Sequence, residues 1–188
     1  MAKVAFFTFG ILHEAQGHPR VQGFYDQIAR NFETAEQSDG FIGRSQLNPE
    51  TGEHSWGERV HPRFFHEGVH AQDPRTLSLW EDLESVFAFA YAGMHGQALH
   101  QRQEWFLPPA WPTYVAWWVP DEHTPDWHEA IERHEHLHDH GPSPYAFDFT
   151  QPFGPDQHPM VLNRALVQAK IARNASRVQP ETPGAPAR

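Results

Sequence analysis

Two stretches of the chain, "VAFFTFGI" from Val4 to Ile11 and "TYVAWWV" from Thr113 to Val119, are apolar at consecutive positions rather than at alternate ones. Side chains along a strand point to opposite faces in turn, so Val4, Phe6 and Thr8 share one face and Ala5, Phe7 and Phe9 the other. Both faces are mostly apolar. Strands of this kind need cover on both sides, which excludes a two-layer sheet with one wetted face. Any fold the chain adopts has to bury these two segments twice over.

The sequence between and beyond them predicts the other elements. Val21, Phe24, Tyr25, Ile28 and Phe32 recur at three and four, which predicts a helix from Pro19 to about Ser38. Gly40 to Leu47 reads as a strand ending in the turn Asn48-Pro49-Glu50-Thr51-Gly52. Residues from about Glu53 to Pro74 are irregular, with a hairpin return through Trp56 to Phe65 and then a loop. Thr76 to Trp80 is a short strand, and Glu81 to Phe106 is a proline-free helix stopped by Pro108-Pro109. Thr124 reads as an N-cap with Pro125 in the first turn, opening a helix that runs to His140 before Gly141-Pro142. Tyr145 to Phe149 is a fifth short strand, and Met160 to Arg173 a C-terminal helix.

Strand, helix, strand, strand, helix, strand is a ferredoxin-like α+β order, here with an added helix and strand. Its helices cover only one face of the sheet. For the other face the economical cover is a second copy of the sheet, giving a homodimeric α/β barrel. The expected organisation is a ferredoxin-like domain over residues 1–150, a C-terminal extension with a helix over 151–173, and a disordered tail rich in Pro, Gly and Ala over 174–188.

Composition removes several function classes. The chain has no cysteine, so neither disulfides nor thiolate chemistry contribute. The formal net charge is -10 with no stripe of Lys or Arg, which argues against a nucleic-acid partner. The apolar run near the N-terminus is too short for a membrane span and lacks a cleavage signal, so a soluble cytoplasmic protein is expected. The 15 histidines could add charge on acidification, as a pH sensor or simply as surface composition.

His66-Glu67-Gly68-Val69-His70 matches the H-E-x-x-H pattern of zinc peptidases, which works only on a helix that puts both histidines on one face. Gly68 inside the motif, with Pro62 and Pro74 on either side, favours an irregular loop. A second cluster, "RHEHLHDHG", pairs His134 with His138 and His136 with His140 at helical spacing. Each pair could hold a divalent metal, or the histidines could simply suit the negative end of a helix dipole.

The stronger candidate lies on the helix from Glu81. Phe87, Tyr91, His95, Ala98 and Arg102 fall on one stripe and set a hydroxyl, an imidazole and a guanidinium among apolar neighbours. Read as a site, His95 is a proton shuttle or metal ligand, Tyr91 a hydrogen-bond donor or acid, and Arg102 a clamp for a carboxylate or phenolate. Read as core, the three form a buried polar network. Trp105, Trp117 and Trp118 read first as core or interface.

The segments 77–106, 114–120 and 123–149 resemble the family called domain of unknown function 3291. The resemblance rests on Ser78-Leu79-Trp80, Tyr91 with His95, Trp105-Phe106, Trp117-Trp118, and Gly141-Pro142 with Ala146-Phe147, in that order. It implies the dimeric α/β-barrel superfamily, whose branches include antibiotic-biosynthesis monooxygenases and heme-degrading oxygenases, and a ligand beside the long helix. Tyr91, His95 and Arg102 are then catalytic, while Phe87, Trp105 and Trp117 contact an apolar, aromatic or polyketide-like substrate. The reaction would be monooxygenase-like or proton-transfer catalysis without metal or cofactor. The alternatives are heme with His95 as proximal ligand, or a non-catalytic ligand-binding dimer.

Overall fold

The computed structural model describes residues 2–91 and 102–177. Four strands, β1 (Ala2–Phe9), β2 (Phe41–Arg44), β3 (Arg75–Trp80) and β4 (Tyr114–Pro120), form one antiparallel sheet in the order β2-β3-β1-β4. The helices are α1 (Pro19–Glu36), α2 (Leu83–Tyr91), α3 (Trp127–His140) and α4 (Arg164–Arg177). This is the expected ferredoxin-like α+β arrangement, with β1 at the centre, Phe7 opposite Leu77 on one side and Val115 on the other. Among the described residues no helix is long and apolar enough to cross a membrane.

Val4, Phe6, Trp80 and Ala116 form the first face of the sheet. They pack with Ala35 of α1, Leu83 and Val86 of α2, and Phe147 and Phe153 from the segment leading to α4. Ala5, Phe7, Phe9, Leu77, Leu79, Val115 and Trp117 form the second face. That face was expected to await a second copy of the sheet, but the chain fills it itself. Trp127, Ala130 and Leu137 of α3 lie on it, joined by Trp56, Val60, Phe64 and Phe65 from the 53–74 loop. Phe7, Val115 and Trp117 are 0% exposed in the single chain. A dimer pairing sheet to sheet would have to displace both α3 and the loop.

Polar anchors fix this second layer. Trp117 Nε1 donates to Glu129 Oε1 at 2.8 Å, and Trp127 Nε1 to Ser45 Oγ at 3.0 Å. Beneath the loop, Asp73 pairs with the buried Arg75 and, at 2.9 Å, with His61 Nδ1. From the loop itself, the Arg63 amide donates to Glu135 of α3 at 2.8 Å, and its guanidinium pairs with Asp139.

Several boundaries differ from expectation for identifiable reasons. The N-cap of α3 is Asp126, whose carboxylate accepts from the Glu129 amide at 2.8 Å, so the cap lies two residues beyond Thr124. The expected strand at 145–149 contracts to one bridge, Phe147 to Ala116, on the outer edge of β4. The C-terminal helix starts at Arg164 rather than Met160, because a bridge between Phe153 and Pro159 holds the preceding residues in a turn. It runs to Arg177, beyond the predicted end at Arg173. Of the long helix expected over 81–106, α2 accounts for 83–91 and a helical turn for 102–105; residues 92–101 lie outside the described set.

His134 occupies the centre of the second layer, not a metal pair with His138. Its ring lies 5.2 Å from Phe7, 5.4 Å from Phe9 and 5.5 Å from Phe64, centre to centre. Nε2 donates to the Pro112 carbonyl, while Nδ1 is buried with no partner among the described residues. Burial pushes its pKa down to about 4. The folded chain therefore holds His134 neutral, whereas the unfolded chain protonates it near its ordinary value of 6.5. Stability is fully present above pH 6.5 and is expected to fall by up to ~3 kcal/mol as the pH drops to about 4. Denaturant titrations across that range should show this slope in the native chain and lose it in His134→Phe. A second expectation follows from the self-covered sheet: the melting temperature should stay constant over roughly a hundredfold range of chain concentration. A rise with concentration would mean that another copy completes the layer.

Candidate functional site

At the end of α2 the helix stripe meets an aromatic group. Phe87 lies 4.7 Å from Tyr91 and 5.2 Å from Phe149, ring centre to ring centre, and Tyr114 of β4 lies 5.2 Å from the same Phe149. Tyr91 Oη donates to Tyr114 Oη at 3.4 Å, and the Phe149 amide donates to the same oxygen at 3.3 Å. Tyr114 thus accepts twice and keeps its own O–H to donate. Burial pushes its phenol far above the ordinary tyrosine value. It stays protonated at any physiological pH and is suited to donate a hydrogen bond to an oxygen that gains charge.

Phe87 and Phe149 form one wall of a cavity of about 470 Å³, completed by Met160, Leu162, Arg164 and Val167 among others. Its volume falls within the range of small-molecule sites. The wall is largely apolar, with Thr150, Arg164 and Gln168 as its polar members.

The far wall is α4, anchored at its start by Glu84 of α2, which accepts the Asn163 amide at 2.9 Å, and further along chiefly by one carboxylate. Asp39, in the turn between α1 and β2, accepts from Arg173 at 2.6 Å and pairs with Lys170 and Arg177 at 3.3 Å each. Its amide donates to the Asn174 side chain at 2.8 Å, and Lys170 also reaches Asp82 at 3.2 Å. The Arg173 hydrogen bond holds the Asp39 carboxyl below the usual range.

The structure brings only part of the predicted site together. Phe87 lines the cavity, and Tyr91, 48% exposed, borders it through Phe87 and Phe149. His95 lies outside the described residues. Arg102 is exposed on the short helical turn before Phe106. Trp105 is buried elsewhere, with Leu12 and Val21, and Trp117 lies on the opposite face of the sheet. Neither tryptophan touches the cavity wall.

The HEGVH segment is a sequence of turns, with Gly68 in the left-handed region at φ 78°, and it supplies no helical face. His70 Nδ1 accepts from the His66 amide at 3.0 Å. Among the described residues no three metal-binding side chains come together. Sequence reasoning missed Tyr114, Phe149, Arg164 and Asp39. For Tyr114 a signal existed, since strand parity places it on the face of Phe6, Ala116 and Trp118.

Fold and cavity together define a ferredoxin-like α+β protein with a small-molecule-sized pocket on the helical side of its sheet. The model of one family, domain of unknown function (DUF3291), matches residues 3–163, and the chain belongs to that family. Among solved structures the chain is similar to SnoaB, a cofactor-independent oxygenase from Streptomyces nogalater. The two share 11% identity at a TM-score of 0.39, over 66% of this chain and 97% of that one. No curated protein matches the sequence.

Removing the carboxylate that anchors α4 should loosen the cavity wall. Asp39→Ala leaves the buried Lys170 with Asp82 alone and takes the carboxylate partner from the half-exposed Arg173 and Arg177. It is expected to cost about 1–3 kcal/mol of stability and to raise hydrogen exchange selectively in α4; unchanged exchange there would show that apolar packing alone holds the helix.

Proposed function

We propose that the chain binds an apolar, aromatic small molecule in the cavity beside α2 and acts on it as a monooxygenase-like or proton-transfer catalyst. The observation that carries this reading is the hydroxyl pair at the edge of the cavity, where Tyr91 bonds Tyr114 and both rings pack on Phe149 of the wall. Taking a proton from a phenol or from carbon next to a carbonyl leaves negative charge on oxygen, and a fixed O–H donor stabilises that charge. Tyr91 orients the donor by occupying one acceptor position of its oxygen. His95, on the stripe predicted from sequence, is the proposed base.

Heme, the alternative cofactor, would take His95 as its axial ligand, a residue outside the described wall.

Naphthoresorcinol, a phenolic bicycle whose ring carbon exchanges protons through a keto form, serves as the test compound. The native chain should accelerate its solvent-deuterium exchange. Tyr114→Phe should lower the rate by roughly 100-fold while leaving binding nearly unchanged and costing some stability, because the Phe149 amide loses its acceptor. Equal rates in the two proteins would remove Tyr114 from the chemistry, and a native rate no faster than buffer would reduce the site to ligand binding.

A further inference from the structure

The family match stops at residue 163, and α4 starts at 164. A helix beyond the matched region therefore supplies Arg164, Val167 and Gln168 to the cavity. Resting on the cavity as the ligand site, we infer that α4 makes it selective for aromatic molecules bearing an anionic group such as a carboxylate, and that Arg164 binds that group.

The charges of α4 carry the argument. The helix has four cationic side chains, Arg164, Lys170, Arg173 and Arg177. The last three converge on Asp39, and Lys170 is shared with Asp82. Arg164 has no acidic partner among the described residues. It is also the one charged member of the described cavity wall.

Arg164 is exposed and water meets its charge, so its place on the cavity wall, and not a missing partner, points to a ligand. Cations are favoured in the last turn of a helix, and Arg164 stands in the first. Nor does it hold α4 in place, since Asp39 does that from the other side of the helix and Glu84 of α2 accepts the amide of Asn163 at its start. Gln168 lies one turn further along on the same side, where its amide can bond the same ligand group. Thr150, on the facing segment, already donates its hydroxyl to Asp148 at 2.5 Å and is not available to the ligand. An apolar wall with one guanidinium and one neutral amide fits a flat apolar body with a single acidic substituent.

Two fluorescent probes of similar shape separate the parts of this inference. Anilinonaphthalene sulfonate is anionic and N-phenylnaphthylamine is neutral; both are titrated into the full chain. The expected result is that Arg164→Leu weakens the sulfonate about tenfold, the scale of one charge-assisted hydrogen bond. The neutral amine should be unaffected, and Arg164→Lys should recover part of the loss. Added salt should weaken only the sulfonate.

Val167→Trp and, at a less buried wall position, Met160→Trp fill the cavity and should expel both probes. If they expel both while Arg164→Leu weakens neither probe, or both equally, the anion reading is overturned and the cavity stands. If the filling variants, folded by circular dichroism, leave both probes bound, or if the native chain binds neither, the cavity itself is not the site and both readings fall.

Discussion

The structure depends on the double burial of β1. This strand is the second from one edge of the sheet and hydrogen-bonded on both sides, and its side chains are apolar on both faces, so neither face can be left to water. Burying a side chain such as Phe7 contributes about 1.5–3 kcal/mol relative to leaving it exposed, and the second face holds more than half a dozen of them. Two solutions exist for a ferredoxin-like sheet, a second copy or additional chain. The second is used here. After β4 the chain turns back as α3, whose residues Trp127, Ala130, His134 and Leu137 recur at three and four and so form the stripe that the second face needs. The segment between β2 and β3 provides the rest of the layer.

Covering the sheet in this way buries charge as well as apolar surface. Arg59 of the 53–74 loop points towards the buried Arg75 at the start of β3, with Asp73 as the carboxylate beside them. Burial, with the charge of Arg59, pulls the Arg75 guanidinium down to about 10, so it remains cationic at neutral pH. The neighbouring His54 is pushed towards its neutral form by burial first and by the two arginines next. Arg59 also donates to the backbone oxygens of Asp73 and Arg75 at 3.5 Å, which ties the loop to the start of β3. These bonds explain why a segment with little regular structure stays in one place. HEGVH, at the exposed turn of that segment, is spelling without the helix that would give it chemistry.

Much of the sheet and its order was legible because period-two and period-three-to-four patterns report which faces are buried. What covers a face was not legible, because the apolar pattern of β1 and β4 is the same whether the cover is another copy or α3. The one hint, apolar residues at helical spacing in 127–137, was overshadowed by the histidines interleaved with them. His134 in particular reads as a ligand in the sequence and is a core residue in the structure. The site was half legible for a related reason. Phe87 and Tyr91 share a helix stripe, which a sequence displays, whereas Tyr114, Phe149 and Arg164 come from three other segments brought together by the fold. Trp105 and Trp117 were grouped with them because they are aromatic, a property that says nothing about which side of a sheet a residue faces.

Asp39 links these two histories. It sits in the turn that Gly40 makes possible, with φ 76° and no room for a Cβ, which would collide with Ser85 Oγ of α2. The α1–β2 turn is thereby pressed onto the first turn of α2, and the same turn presents Asp39 to the cations of α4. One short segment thus sets the spacing between the helix that carries Phe87 and Tyr91 and the helix that carries Arg164. The cavity lies between those two helices, and its width follows from a contact made on the side of α4 facing away from the ligand. Side chains at the wall can then vary without changing the frame, while a change at Gly40 or Asp39 would shift every wall residue of α4 at once.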